Sequence, residues 1–252
     1  RETEGALARQ REFVADASHE LRTPLTSILA NLELLEAELH GDDAETAGAA
    51  LRSSRRMRRL VGDLLLLARA DAGREGLRER VTLTDVAREA AAEAAPVSAD
   101  HALQLDLPER GPVVEGVSDD LHRLTLNLVE NALVHTPPGT AVTVRVGEAA
   151  GWAVLEVEDA GPGIPPEARE RIFDRFVRGA GETGGGSGLG LAIVRAVAQH
   201  HGGAVEVGEG AAGGARFTVH LPIAAALPPP DPAQRVGELI PPPPPAAPSD
   251  AA

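Results

Sequence analysis

The stretch "ASHELRTPLTSI", Ala17 to Ile28, sets a histidine beside a glutamate and then, four residues after the glutamate, places Pro24. Apolar residues run straight through that proline. They fall at Val14, Leu21, Leu25, Ile28, Leu32, Leu35 and Leu39, and after a first gap of seven the steps alternate four and three. That alternation is a heptad seam, a single apolar stripe along a helix. "HGDDAET", His40 to Thr46, interrupts it with a glycine and acidic residues suited to a turn and a new helix start. A second helix then carries Met57, Leu60, Leu64 and Leu67. Two long helices joined by a short loop form an antiparallel hairpin. One hairpin cannot bury such a seam alone, so the expectation is a dimeric four-helix bundle.

Each helical residue advances by about 100°. His19, two residues before Leu21, therefore points away from the seam and into solvent, and Asp16 and Thr23 share its outer face. Pro24 leaves the hydrogen bond toward residue 20 unmade and permits a bend there. An exposed histidine beside Glu20, at a weak point of a helix, reads as a nucleophile approached by something large. The plainer alternative is a solvated His–Glu pair.

Composition narrows the function. The 252 residues carry a net charge of -14, which argues against a general nucleic-acid binder. Hydrophobic residues at 43% and charged ones at 25% are ordinary for a globular protein. All 24 basic residues are arginine, a bias that fits a GC-rich genome. With no cysteine, disulfides, thiolate chemistry and zinc–cysteine sites are excluded. No apolar run approaches the ~18 residues of a membrane span. The chain begins at Arg1 and shows no signal peptide, and it is expected to be the soluble part of something longer.

Beyond the hairpin, the composition shifts. "ADAGREGLRERV", Ala70 to Val81, reads as a linker. "TAVTVRV" and "WAVLEVED" then alternate as strands do. "SDDLHRLTLNLVENAL" reads as a helix with Ser118 at its N-cap and two Asp in its first turn, and "GLGLAIVRAVAQHHGG" as a helix ending at a glycine pair. After Pro222 the chain becomes Pro and Ala, including "IPPPPPAAP", the composition of a disordered or polyproline tail.

Three clusters in this region carry chemistry. "NLVEN" sets Asn127 and Asn131 at i and i+4 on one helix face. "EDAGPGIP" ends a strand at Asp159, and Gly161 and Gly163 then let backbone approach a ligand closely. "GGGSGLGLAIV" places Gly186, Gly188 and Gly190 at a helix start, a cradle for phosphate. Each pattern alone is weak. Their order, with the aromatic and basic "IFDRFVRG" between the last two, is specific.

Together these stretches resemble the sensor histidine kinases of two-component systems. "FVADASHELRTPLTSI" resembles that family's phospho-acceptor box. "NLVENALVHTPPGT", "VEDAGPGIP", "IFDRFVRG" and "GGGSGLGLAIV" resemble its asparagine, first glycine, phenylalanine and second glycine boxes. The resemblance covers residues 7 to 222. It implies an α+β protein: a dimerisation and phosphotransfer hairpin (1–72), a linker (73–80), an ATP-binding α/β sandwich of the gyrase, Hsp90 and histidine-kinase type (81–222) and a disordered Pro/Ala-rich tail (223–252). His19 would attack the γ-phosphate of ATP, with Glu20 as base and Thr23 positioning water for dephosphorylation of the partner. Asp159 would meet the adenine amino group. Asn127 would hold Mg²⁺, and Asn131 would support metal and phosphates. Gly161, Gly163, Phe176, Arg178, Gly186, Gly188, Leu189 and Gly190 would complete the nucleotide site, with Val177 to Ser187 as a glycine-rich lid. The partner implied is the receiver domain of a response regulator, alongside a homodimer and no nucleic acid. The parent protein would reach the cell membrane only through segments absent from this chain.

Asn127 separates this reading from the water-using ATPases of the superfamily, which carry a glutamate there as base for hydrolysis. An amide cannot accept that proton. Two departures stand out. Val134 replaces a residue that is often Lys or Arg, and the lid offers Glu182 and Thr183 where an Arg is frequent, leaving Arg175 and Arg178 as possible substitutes. A cation missing beside phosphate costs on the order of 1 kcal/mol. The alternative reading is therefore a weakly active nucleotide-sensing scaffold that binds a regulator. The arginines at 52, 55, 56, 58 and 59 read as a solvated helix face or a contact for an acidic partner, and His200 and His201 as complements to a helix C-terminus.

Overall fold

The computed structural model describes residues 23–71, 76–96, 100–177 and 187–225. His19, Glu20, Arg178, Gly186 and the Pro/Ala-rich segment from residue 226 lie outside them. Helix α1 (residues 23–38) and helix α2 (Asp42–Asp71) form the hairpin. Gly41, at φ +63°, closes the turn in the left-handed region open to glycine. Asp42, Asp43 and Glu45 then place negative charge in the first turn of α2, where the helix dipole favours it.

The heptad seam divides in two. Leu25 and Leu29, four residues apart, are buried together with Ala47 and Leu51 of α2. Ile28, Leu35, Met57 and Leu64 remain 45–54% exposed. A helix in a two-helix hairpin has one neighbour, so only one of its apolar stripes can be covered. Leu29, outside the predicted seam, takes the inner place that the spacing assigned to Ile28.

The remaining residues build an α/β sandwich. Five strands lie in the order β2 (Ala102–Asp106), β4 (Ala141–Ala149), β5 (Trp152–Asp159), β7 (Ala215–Pro222) and β6 (Ala204–Glu209). The β2–β4 pair is parallel and the others are antiparallel. Val142, Val144, Leu155, Val157, Phe217 and Val219 alternate inward from the three central strands, the pattern of a sheet covered on one face. Helices α3 (Leu83–Ala94), α4 (Ser118–Val134) and α5 (Gly190–His200) supply the cover through Ala87, Ala90, Leu124, Leu128, Ile193 and Val194. A two-stranded ribbon, β1 (Glu79–Thr82) with β3 (Val113–Gly116), stands apart. Past β7, Ile223 bridges back to Val114, and the Ala224 amide donates to the Val113 carbonyl at 2.7 Å.

Ser118 is the first helical residue of α4, and Val117 occupies the cap, where no side chain caps the helix. The reason lies across the fold. His201, at the C-terminal end of α5, is buried, and its Nε2 accepts the Val117 amide proton at 3.0 Å. Its Nδ1 is 2.8 Å from the Val197 carbonyl. Accepting at one nitrogen and donating at the other requires a neutral ring, and burial pushes the His201 pKa down accordingly. The chain leaves α5 through Gly202 and Gly203, whose amides return to the carbonyls of Gln199 and Ala198.

Hairpin and sandwich are joined by more than the linker. Leu67 is buried in the same cluster as the sandwich core, with Leu60 and Leu66 packed against it. Asp63 of α2, 6% exposed, accepts from Nε and Nη2 of Arg123 on α4 at 3.0 and 2.7 Å. Burial raises the Asp63 pKa, and the Arg123 charge and hydrogen bond only partly oppose it. Arg59 lies 3.8 Å from Glu130, also on α4.

Candidate active site

Helix α4 brings Asn127 and Asn131 to one side of the sandwich because they sit one turn apart on a helix whose other side is core. Asn127 is 8% exposed, and its Nδ2 is buried without a hydrogen-bond partner among the described residues. A buried amide left unpaired costs about 1–3 kcal/mol unless a ligand meets it. Gly190, the first residue of α5, lies against it: a Cβ there would come within 3.2 Å of Asn127 Oδ1. Leu189 at the N-cap of α5 offers no capping side chain, and the first-turn amides of a helix have no partner within it. An amide side chain, a bare helix N-terminus and a missing Cβ converge here, as an anion with its counter-cation requires.

A second cluster centres on Asp159. It ends β5, and its Oδ1 accepts from the amides of Gly161 and Ala215 at 2.9 and 3.2 Å. These two amides fix the orientation of the carboxylate. A side chain on Gly161 would strike Thr136 and Asp159, and one on Gly163 would meet the Gly213 carbonyl. The turn at 210–214 is held in its own right. Glu158 accepts from the Ala211 amide at 2.6 Å and from Arg145 Nη1 at 2.7 Å. Burial pushes the Glu158 pKa up, but Arg145, the Ala211 amide and Arg216 outweigh it and hold it below the ordinary glutamate value.

The second glycine box meets the phenylalanine box at one clasp. The Phe176 amide donates to the Gly188 carbonyl at 2.8 Å. Gly188, at φ +68°, has no room for a Cβ, which would lie 2.9 Å from Phe176 backbone. Phe176 itself is left-handed, at φ 63°, a costly conformation for an aromatic residue. Its side chain is exposed, whereas Leu189 is fully buried. Thr23 is exposed on α1.

Spacing alone does not reveal three contributors. Gly214 has no Cβ, which would collide with the Asp159 carbonyl, and this lets β7 start against that residue. Its signal is the glycine pair in "GAAGGARF". Thr136 packs over Gly161 and returns its hydroxyl proton to the Ala132 carbonyl at 2.7 Å. Glu158 braces the turn beside Asp159, as described above. The expected cations fare differently. Val134 is 58% exposed at the end of α4. Arg175 is engaged elsewhere, donating to both Asp71 carboxylate oxygens at 2.8 and 2.6 Å. Glu130 faces Arg59 of the hairpin and does not stand in for the glutamate that Asn127 replaces.

Such a sandwich beside a helical hairpin defines a class: an ATP-binding module attached to a helical phospho-acceptor module. Residues 116–225 match the model of the histidine kinase-, DNA gyrase B- and HSP90-like ATPases, and residues 9–73 match the His Kinase A phospho-acceptor domain. The chain belongs to the sensor histidine kinases. It is 44% identical over 220 residues to the probable sensor histidine kinase TcrY of Mycobacterium tuberculosis, covering 84% of this chain and 46% of the relative. It is 39% identical over 216 residues to the histidine-protein kinase/phosphatase MprB of Mycobacterium bovis, covering 82% and 42%. Among solved structures, full-length ShkA in complex with AMPPNP matches at TM-score 0.71 and 31% identity, over 85% of this chain and 46% of that one. A mycobacterial MprB structure matches at TM-score 0.53 and 35% identity, over 60% of this chain and 100% of that one. The chain spans about half the length of the curated relatives it matches.

Proposed function

We propose that this chain phosphorylates itself on His19 with Mg-ATP and passes the phosphoryl group to an aspartate of a response regulator. Two observations support the nucleotide half: the Asn127 amide, without a partner among the described residues, lies against the start of α5, and two backbone amides hold the Asp159 carboxylate.

Asp159 presents its remaining oxygen to the adenine amino group, with Gly161 and Gly163 allowing the base to lie close. Asn127 would offer its side-chain oxygen to Mg²⁺, and Asn131 would support the metal and phosphates. No three His, Cys, Asp or Glu converge among the described residues, so such a cation would take its other ligands from phosphate and water, as magnesium commonly does. When bound, Mg²⁺ neutralises charge on the β- and γ-phosphates. By the family resemblance, the amides opening α5, with Gly186, Gly188 and Leu189, would cradle the phosphates, and Phe176 and Arg178 would complete the site. A ring nitrogen of His19 attacks the γ-phosphorus while the bond to the bridging oxygen breaks and ADP leaves. Glu20 takes the proton from the other ring nitrogen. The phosphoramidate then yields its phosphoryl group to the regulator's carboxylate. Thr23, exposed on α1, orients water for the reverse dephosphorylation, in keeping with the kinase/phosphatase name of the MprB relative. Positioning and charge neutralisation suffice for this chemistry.

The division of labour follows: residues 1–72 dimerise and carry the phospho-acceptor, 73–80 link, 81–222 bind nucleotide and 223–252 form a tail. Ile28, Leu35, Met57 and Leu64, exposed on the hairpin, supply the surface for a second copy. The parent protein is anchored in the cell membrane by segments outside this chain, in keeping with relatives about twice its matched length. Calorimetric titration with ATP tests the site. Asp159→Asn weakens affinity tenfold or more, and Asn127→Ala removes its dependence on Mg²⁺. Unchanged binding in both variants would overturn the assignment. A scaffold with weak transfer is favoured by one observation: Arg175, a candidate to replace the cation missing at Val134, is already engaged by Asp71. Normal ATP affinity without transfer would establish it.

A further inference from the structure

Residues 173–176 form a strap held from two sides. Phe173 is buried, meets Phe217 edge-on at 6.3 Å and lies under the Arg195 guanidinium at 5.8 Å. Asp174 then accepts from Arg195 of α5 at 3.0 Å. Arg175, the next residue, reaches the other way, to the carboxylate that ends α2. Phe176 completes the strap by donating its amide proton to the Gly188 carbonyl, two residues before α5 and the Asn127 contact. One short segment thus ties the base of the nucleotide site to α5 inside the sandwich and to α2 outside it.

The outer tie stands where it has most leverage. Asp71 is the last residue of α2, immediately before the linker, and a partner 104 residues away holds it. Two further polar ties, Asp63 with Arg123 and Arg59 with Glu130, both fall on α4. Leu67 of α2, buried in the core shared with the sandwich, already holds that helix against it. The Arg175 tie adds a polar hold at the very end of α2.

We propose that Arg175 is a positioning residue for phosphoryl transfer: by clamping Asp71, it sets the orientation of the nucleotide domain on the hairpin that carries the phospho-acceptor. This rests on the function proposed above. Because Arg175 and Asp71 are 47% and 48% exposed, the tie shifts the population of oriented molecules by up to about fivefold and does not hold the fold together. Transfer depends on placement of the reacting atoms, so that shift falls on rate and not on nucleotide affinity.

The chain has no cysteine, so spin labels placed at two introduced cysteines, Arg58→Cys on α2 and Glu206→Cys on β6, report the interdomain distance. Arg175→Ala and Asp71→Ala should each broaden that distance distribution. They should also lower the autophosphorylation kcat about threefold to fivefold, with the KM for ATP unchanged. The charge-exchanged pair Asp71→Arg with Arg175→Asp should restore both readouts. Arg55→Ala, which removes an exposed pair within the hairpin, should alter neither. An unchanged distribution in Arg175→Ala, a fall in ATP affinity, a rise in kcat or no rescue by the exchange would each overturn the proposal. If the parent chain takes no phosphate at all, the functional reading fails, while the distance measurement still decides whether the tie orients the domain.

Discussion

The hairpin and the sandwich satisfy their apolar residues differently. In the sandwich, Leu128, Val129, Leu155, Ile193 and Val219 are sealed between three helices and five strands of the same chain. In the hairpin, Leu25, Leu29 and Leu51 are covered, yet Ile28, Leu35, Met57 and Leu64 on the same two helices are not. The sandwich completes its own core. The hairpin completes only half of one, and its stability is tied to whatever covers the rest. A nucleotide site needs a self-sufficient frame, whereas the open stripe of the hairpin is the surface that the proposed function assigns to a second copy.

The largest expected effect lies in the sealed half. Phe217→Ala removes a fully buried ring and should destabilise the sandwich by about 3–5 kcal/mol, read by denaturant unfolding of nucleotide-protected protein. A smaller loss would mean that the core collapses around the gap. Next is the seam between halves. Asp63→Ala strands the Arg123 charge in a largely buried setting, with an expected cost of about 3 kcal/mol. Charge-neutral Asp63→Asn should cost less, because the amide oxygen can still accept from Arg123.

Acid acts on the sandwich through His201. The ring is neutral when folded, with its pKa below the ordinary 6.5. Between 6.5 and that lower value the unfolded chain takes up a proton that the folded chain refuses. Stability is therefore full above pH 6.5 and falls as pH drops below it, by up to about 1.4 kcal/mol per pH unit. Asp63 and Asp120, raised by burial above 3.8, act in the opposite sense at lower pH, where folding favours their protonated forms. Thermal melts from pH 8 to 5 check the slope, which should flatten in His201→Gln. The smallest effect on folding, and the largest on assembly, belongs to the open stripe. Ile28→Ser with Met57→Ser should leave the unfolding of the sandwich within about 0.5 kcal/mol of the parent, while shifting sedimentation from dimer toward monomer.

The same contrast explains what the sequence made legible. Asn127, Asp159 and the glycines could be placed because their positions depend on neighbours a few residues away: an amide pair one turn apart, a strand end before a turn, a glycine at a helix start. The seam was legible as a stripe, but periodicity does not say which of two facing surfaces will claim Ile28 and which Leu29. The Val117 cap was hidden because His201, which binds its amide, lies 84 residues away. The Asp63–Arg123 tie, 60 residues apart, and the capture of Arg175 by Asp71 were hidden for the same reason. Charge and spacing show that an arginine exists, and only the fold shows which carboxylate reaches it first.

Transfer of phosphate to the hairpin tests the account most directly. The chain and its His19→Gln variant are incubated with γ-labelled ATP and Mg²⁺, and the protein-bound label is then exposed to acid and to base. The account predicts label on the parent chain that is lost in acid, kept in base and absent from the variant. Label of equal amount on both proteins, or none on a parent chain that binds ATP, would contradict it.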